Sequence, residues 1–214
     1  MKAQTMNRCS KLAALAAGTA MIALQTAPAA AEGTTAGTTI TNTATVDYRV
    51  GGVDQTEVVA ADSFDVDRKV NFLVTRVSTP TTSVVPGQNN AVIAFDVTNL
   101  SNATIDIALV VSQASGDDFD AGNVAIYLDD GNGSFDGTET VITTIDEIAE
   151  DATVRVLVVA NIDLARTNGE VASLILEGTA REGGAASSQG AVITSAAGAN
   201  TAGVETVLAD AAGA

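Results

Sequence analysis

"AVIAFDVTNLSNATIDIALVVSQ", residues 91–113, is the stretch on which the reading of the chain turns. Two runs rich in Val, Ile and Leu, 91–99 and 104–113, flank the turn cluster Ser101, Asn102 and Ala103. Short apolar runs between turn residues predict a strand, a turn and a second strand. The pattern extends in both directions. "TTITNTATVDYRV" (38–50) sets Ile40, Asn42, Ala44, Val46, Tyr48 and Val50 against Thr39, Thr41, Thr43, Thr45 and Asp47, the alternation of a half-buried strand. Gly51 and Gly52 predict a turn, and "TEVVAADSFDVD" (56–67) the returning strand, so 38–67 reads as a hairpin. Further strands are predicted at 69–78, 123–129, 139–145, 153–161 and 170–181. No long run carries a 3.6-residue period, and only "IDEIAEDA" (145–152) suggests one helical turn. The fold class is all-β, an antiparallel β-sandwich of seven to nine strands.

The N-terminus reads differently. Lys2, Arg8 and Lys11 precede the apolar run "LAALAAGTAMIAL" (12–24) and the small residues of "QTAPAAAEG". This is the layout of a secretory signal-peptide helix over 1–31, cut after Ala29 or Ala31, and the run is short for a membrane span. Cys9 precedes the apolar run, so it is not a lipid-bearing cysteine, and it leaves with the signal. The remaining chain would carry seven basic and 26 acidic residues, a net charge of −19, against −16 for the whole. So acidic a surface repels nucleic acid and anionic lipid, and favours divalent cations and solubility. Export to the periplasm, cell surface or medium is expected, without stable membrane insertion. Residues 32–182 form the expected domain, with 69–182 supplying the strands after the hairpin. The Gly/Ala/Ser-rich stretch 183–214 reads as a flexible tail with a last strand at 204–210.

"GTTITNTATVDYRVGG", "FDVTNLSNATIDIAL", "DDFDAGNVAIYLDDGNGSFDG" and "AGVETVLADAAG" together resemble the conserved-repeat modules of bacterial and archaeal surface proteins, a domain family of unknown function. The resemblance covers nearly all of 37–210, and "VTNLSNATIDIAL" is its most specific piece. It implies an immunoglobulin-like sandwich, an envelope or extracellular location, and a structural or adhesive role without catalytic residues. Relatives are often long tandem arrays, whereas this chain holds about one module.

"LDDGNGSFDGTE" (128–139) is the strongest candidate for site chemistry. Asp130, Asn132, Ser134 and Asp136 recur at alternate positions, as oxygen ligands do in loops that wrap Ca²⁺, and Asp129 and Glu139 flank them. Phe135 and Val141 stand where an EF-hand needs Gly and Glu, so an EF-hand is excluded. The loop is either a weak Ca²⁺ site or a polar turn between strands, and no other cofactor is implied. Asp117, Asp118 and Asp120 would share that ion or form a solvated turn with Phe119 under the sheet. With no His, the Ser-His-Asp and Cys-His arrangements and ordinary zinc sites are absent. Lys69 is a poor dyad candidate and reads as a charge opposing Asp65 and Asp67. Arg68, Arg76, Arg155, Arg166 and Arg181 are scattered and read as partners of neighbouring acids. An enzyme is not expected. The expected role is a secreted or envelope-surface module with an unidentified partner or homotypic strand pairing. The alternative is a periplasmic module for a small ligand, cation or glycan.

Overall fold

The computed structural model describes residues 33–77, 81–196 and 203–209; the expected signal segment lies outside them. All regular structure among these residues is strand. The N-terminal hairpin is β1 (Thr39–Val46) with β4 (Val58–Asp65), continued by the short pair β2 (Arg49–Val50) and β3 (Val53–Asp54). Then come β5 (Arg68–Val70), β6 (Phe72–Arg76), β7 (Ala91–Asn99), β8 (Ile105–Gln113) and β9 (Gly122–Leu128). They are followed by β10 (Thr140–Val141), β11 (Thr144–Ile148), β12 (Thr153–Asn161), β13 (Leu174–Glu182) and β14 (Thr206–Leu208).

Two antiparallel sheets enclose the core, a five-stranded one in the order β10-β9-β12-β7-β6 and a three-stranded one in the order β11-β8-β13. β14 adds to β5 in parallel, which places the expected last strand. Val97, Val156 and Val158 from the larger sheet meet Ile105, Ile107, Leu109 and Ile145 from the smaller in one aliphatic cluster. Burial on this scale, at about 25 cal/mol per Å², is the non-directional part of stability. Close approach of the layers has a local requirement. A Cβ on Gly178 would meet the Phe72 ring at 2.7 Å, so a larger residue there would push the ring aside.

The turn in the opening stretch ties the layers together. Asn99, fully buried, donates its amide to the carbonyls of Ala103, Ile148 and Ala149 and accepts from the Ser101 N–H at 2.8 Å. The Ser101 hydroxyl donates to the Asn71 carbonyl and accepts from the Asn71 N–H. The Asn102 amide donates to the carbonyls of Thr34 and Asp67 and accepts from the Lys69 N–H. Side chains here satisfy buried backbone groups that no ladder reaches. Nearby, Arg68 grips Glu182 through both carboxylate oxygens and reaches the Thr206 hydroxyl at 3.2 Å, joining β5, β13 and β14.

Several expectations are corrected. The strand at 38–50 is not half-buried: β1 and β4 form an arm exposed on both faces, with Phe64, Val46 and Val58 each more than half accessible. Its amphipathic alternation is real, since Ile40 faces Phe64 and Val46 faces Val58 across the ladder, but none of the described residues covers it. Three residues (55–57) oppose two (47–48) before the tip, a one-residue register shift that bends the arm. The predicted strand at 69–78 breaks at Asn71 into β5 and β6, which belong to different sheets. The predicted strand at 139–145 likewise splits into β10 and β11, because the chain crosses there from one layer to the other. Of the stretch 145–152, residues 145–148 are strand and the turn forms at its end, where Ala152 N–H bonds the Ala149 carbonyl at 3.2 Å. The segment 183–196 is not a loose tail: Ile193 enters the core and Glu182 N–H bonds the Ala191 carbonyl.

Two outcomes follow from these contacts. Replacing Asn99 by Ala strips partners from three carbonyls and one N–H, so a loss of at least about 3 kcal/mol is expected in urea titration. Thr43→Ala on the arm should stay within about 0.5 kcal/mol. The Arg68 guanidinium holds the Glu182 carboxyl below the usual glutamate range. Its contribution is therefore present above that range and disappears as pH falls through the lowered value. Glu182→Gln should cost about 1 kcal/mol near neutral pH, discounted for partial exposure, and nothing once acid has protonated the wild type.

Candidate metal-binding loop

β10 pairs with β9, Thr140 opposite Leu128 and Val141 opposite Tyr127, so residues 129–139 close a hairpin. The loop lies across the outer face of the larger sheet, where Phe135 packs edge-on against Tyr127 with ring centres 4.7 Å apart. Its polar side chains organise its own backbone. Asp129 Oδ1 accepts from Gly133 N–H, Asp130 Oδ1 from Asn132 N–H, and Asn132 Oδ1 from Ser134 N–H. Asp136 Oδ1 accepts from both the N–H and the hydroxyl of Thr138, and Glu139 accepts from the N–H groups of Asp136 and Gly137. Gly131, Gly133 and Gly137 take φ values of 101°, 71° and 93°, which the turns need.

This geometry sorts the six expected ligands. Asp130, Asp136 and Glu139 each place a carboxylate oxygen within 4.8 Å of the others, and Glu139 is buried. Among the described residues none of the three pairs with Arg or Lys. Asp129 turns inward to the Gly133 N–H, on the side where Arg155 sits. Asn132 Oδ1 accepts from the Ser134 N–H at 2.6 Å. Hydrogen bonds from the Thr138 hydroxyl and N–H hold the Asp136 carboxyl below the usual aspartate range, so it stays ionised near neutrality. Three carboxylate oxygens at this spacing suit a hard cation such as Ca²⁺.

The second acidic turn does not join this group. Asp117 accepts from Ser173 N–H at 2.6 Å and Asp118 from Val171 N–H at 2.8 Å, so both pin the approach to β13. Phe119 is half-buried beneath the Arg166 guanidinium, 5.2 Å from its ring centre. A cluster that sequence reading missed consists of Asp106, fully buried, with Asp146 and Glu147. These carboxylates accept backbone N–H groups from residues 184, 185, 187 and 190 and hold that segment against the smaller sheet. No local signal marked it, since Asp106 reads outward between the core-facing Ile105 and Ile107 and is buried by residues far along the chain. Lys69 forms no ion pair among the described residues: Asp65 takes the Thr39 hydroxyl and Asp67 the Glu205 N–H. Arg68, Arg155 and Arg166 do pair with acids (Glu182, Asp96 and Glu170), while Arg181 bonds the Gly190 carbonyl.

A groove of about 310 Å³ opens between the layers, lined among others by Val84, Ile93, Phe95, Phe119, Val171 and Leu174. The molecule is thus an all-β protein of antiparallel layers with a projecting arm, an acidic loop and an apolar groove. No protein-family model matches the chain, and neither the curated proteins nor the solved structures contain a match to it.

Thr138→Val removes the hydroxyl that makes the largest single contribution to the lowering at Asp136. The NMR titration midpoint of Asp136 should then rise toward the usual aspartate range.

Proposed function

We infer that this is an exported, non-catalytic module of the cell envelope or extracellular space, with a structural or adhesive role and a weak Ca²⁺ site. One observation carries the reading: a layered body extends a long hairpin whose two faces are exposed among the described residues. Such an arm suits reaching and holding rather than turnover. Support also comes from the signal-like N-terminus, the absence of His and Trp, and the acidic surface. The layered body agrees with an immunoglobulin-like sandwich, and the resemblance to conserved-repeat surface modules points the same way. Free strand edges on the arm suit homotypic pairing.

Calcium belongs to this reading through Asp130, Asp136 and Glu139. An affinity of roughly 10⁻⁴ to 10⁻³ M, as in extracellular modules, would add about 1.4 kcal/mol at tenfold excess ion over Kd. Melting should rise by roughly 3–5 °C between EDTA and 10 mM Ca²⁺, and not at all in Asp136→Asn. An unmoved wild-type curve would remove the calcium site. For location, mild protease on intact cells should clip the protein while periplasmic markers survive, and full protection would overturn surface display. The apolar groove favours the second reading, a periplasmic module for a small ligand, in which a compound should raise the melting point saturably.

A further inference from the structure

Glycine follows asparagine at two places in the chain, Asn132–Gly133 in the acidic loop and Asn168–Gly169 in the connection from β12 to β13. Such a step can react with itself. The glycine nitrogen lies one bond beyond the asparagine main-chain carbonyl carbon, so its attack on the side-chain Cγ closes a five-membered ring. Glycine, without a Cβ, leaves room for the approach and permits the backbone rotation that closure needs. By sequence the two steps are equivalent. The fold makes them unlike.

In the acidic loop the groups that must move are held. Gly133 N–H donates to Asp129 Oδ1 at 2.9 Å, and Asn132 Oδ1 accepts from the Ser134 N–H at 2.6 Å. Ring closure has to turn the Gly133 nitrogen away from Asp129 and swing the Asn132 amide off Ser134. It also has to take a proton from a nitrogen that sits against a carboxylate, where the negative charge left behind is disfavoured.

Asn168 has none of this protection. It is exposed, and neither its side chain nor the Gly169 N–H forms a hydrogen bond among the described residues. One long bond closes the turn around the step, from Glu170 N–H to the Thr167 carbonyl at 3.3 Å. The Glu170 carboxylate is engaged with the Thr167 N–H at 2.9 Å, not with Gly169. Gly169 sits at φ 97° with nothing within 4 Å of the place a Cβ would take, so this peptide has space to rotate.

We propose that Asn168 is a site of spontaneous modification in the folded protein, converting to isoaspartate and aspartate, while Asn132 is protected by its loop. The Gly169 nitrogen gives up its proton and bonds to Asn168 Cγ, the bond from Cγ to the side-chain nitrogen breaks, and that nitrogen leaves as ammonia. Water then opens the cyclic imide. Opening at the main-chain carbonyl gives isoaspartate, and opening at Cγ gives aspartate. The sum is loss of ammonia and gain of water, with no oxidant or reductant. Either product adds a carboxylate to the turn, and isoaspartate also inserts a methylene into the main chain, which breaks the register of the Thr167–Glu170 bond. This turn borders the apolar groove, since Glu170 and Val171 line it. The rim of the modified protein is therefore more acidic and looser at 167–170, while Asp118 and Asp117 still hold the N–H groups of Val171 and Ser173. The inference rests neither on calcium nor on location.

The test is peptide mapping by mass spectrometry of the purified full chain, aged at mildly alkaline pH either folded or in guanidinium chloride. In the folded chain the peptide holding Asn168 should gain the mass difference between an amide and a carboxylic acid, and separate into isoaspartyl and aspartyl forms. Conversion at Asn132 should be slower by roughly thirtyfold, the factor set by opening two ordinary hydrogen bonds. In guanidinium chloride the two sites should convert at similar rates. Asp129→Ala frees the Gly133 N–H and should speed conversion at Asn132 without changing the rate at Asn168. Asn168→Gln, whose ring would have six members, should stop the change at 168 and leave the melting point where it was, because the position is exposed. Asn168 that stays intact in the folded chain while converting in guanidinium chloride would overturn the proposal. So would equal rates at the two sites in the folded protein, or an Asp129→Ala chain that melts as a folded protein with Asn132 no faster than before.

Discussion

The amide of Asn99 holds the fold together in a way the aliphatic core cannot. Apolar packing among Val97, Ile105, Ile107 and Val156 drives collapse, but it has no direction and would tolerate several registers between two sheets. Asn99 does have direction. Its four hydrogen bonds reach the turn it starts and the end of β11, so the larger sheet can meet the smaller in one way only without stranding buried carbonyls. Ser101 and Asn102 extend the same constraint to Asn71, Lys69 and the arm's root. Four consecutive positions, 99–102, thus set the layers, the break between β5 and β6, and the point from which the arm departs.

Much of this was legible in the residues. The runs 91–99 and 153–161 are strands at those bounds, because their neighbours on both sides are turn formers and their own side chains are β-branched. What was illegible depended on the rest of the molecule. The alternation at 38–50 specifies a strand with an apolar face, but whether that face is covered depends on chain elsewhere. The splits at Asn71 and at Ile142–Thr143 are crossings between layers, and an apolar run carries no mark of which sheet each half joins. Ile193 sat in a stretch whose Gly and Ala content suggested slack, yet one buried isoleucine and a few carboxylate caps suffice to pin it. The carboxylates at 130, 136 and 139 were visible through their spacing. Those at 106, 146 and 147 were not, since about forty residues separate the first from the others.

Acidity has a structural use here beyond solubility. Asp106, Asp117, Asp118, Asp129, Asp136, Glu139 and Glu147 all accept hydrogen bonds from backbone N–H groups in irregular segments. A chain with long connections between short strands must satisfy many such donors, and a carboxylate does so more strongly than a neutral acceptor. Part of the charge that gives the protein its character is therefore distributed scaffolding, and among the described residues carboxylate oxygens converge at two places, the acidic loop and the Asp106–Asp146–Glu147 cluster.

The pair of tyrosines gives the molecule an optical division of labour. Tyr127 is clasped by Phe135 within the layered body, whereas Tyr48 stands half in water at the apex of the arm, and tryptophan is absent. Near-ultraviolet dichroism, which needs a chromophore in a fixed asymmetric setting, therefore reports the body. Nitration and collisional quenching report the apex, so a single unlabelled sample lets the two be followed separately.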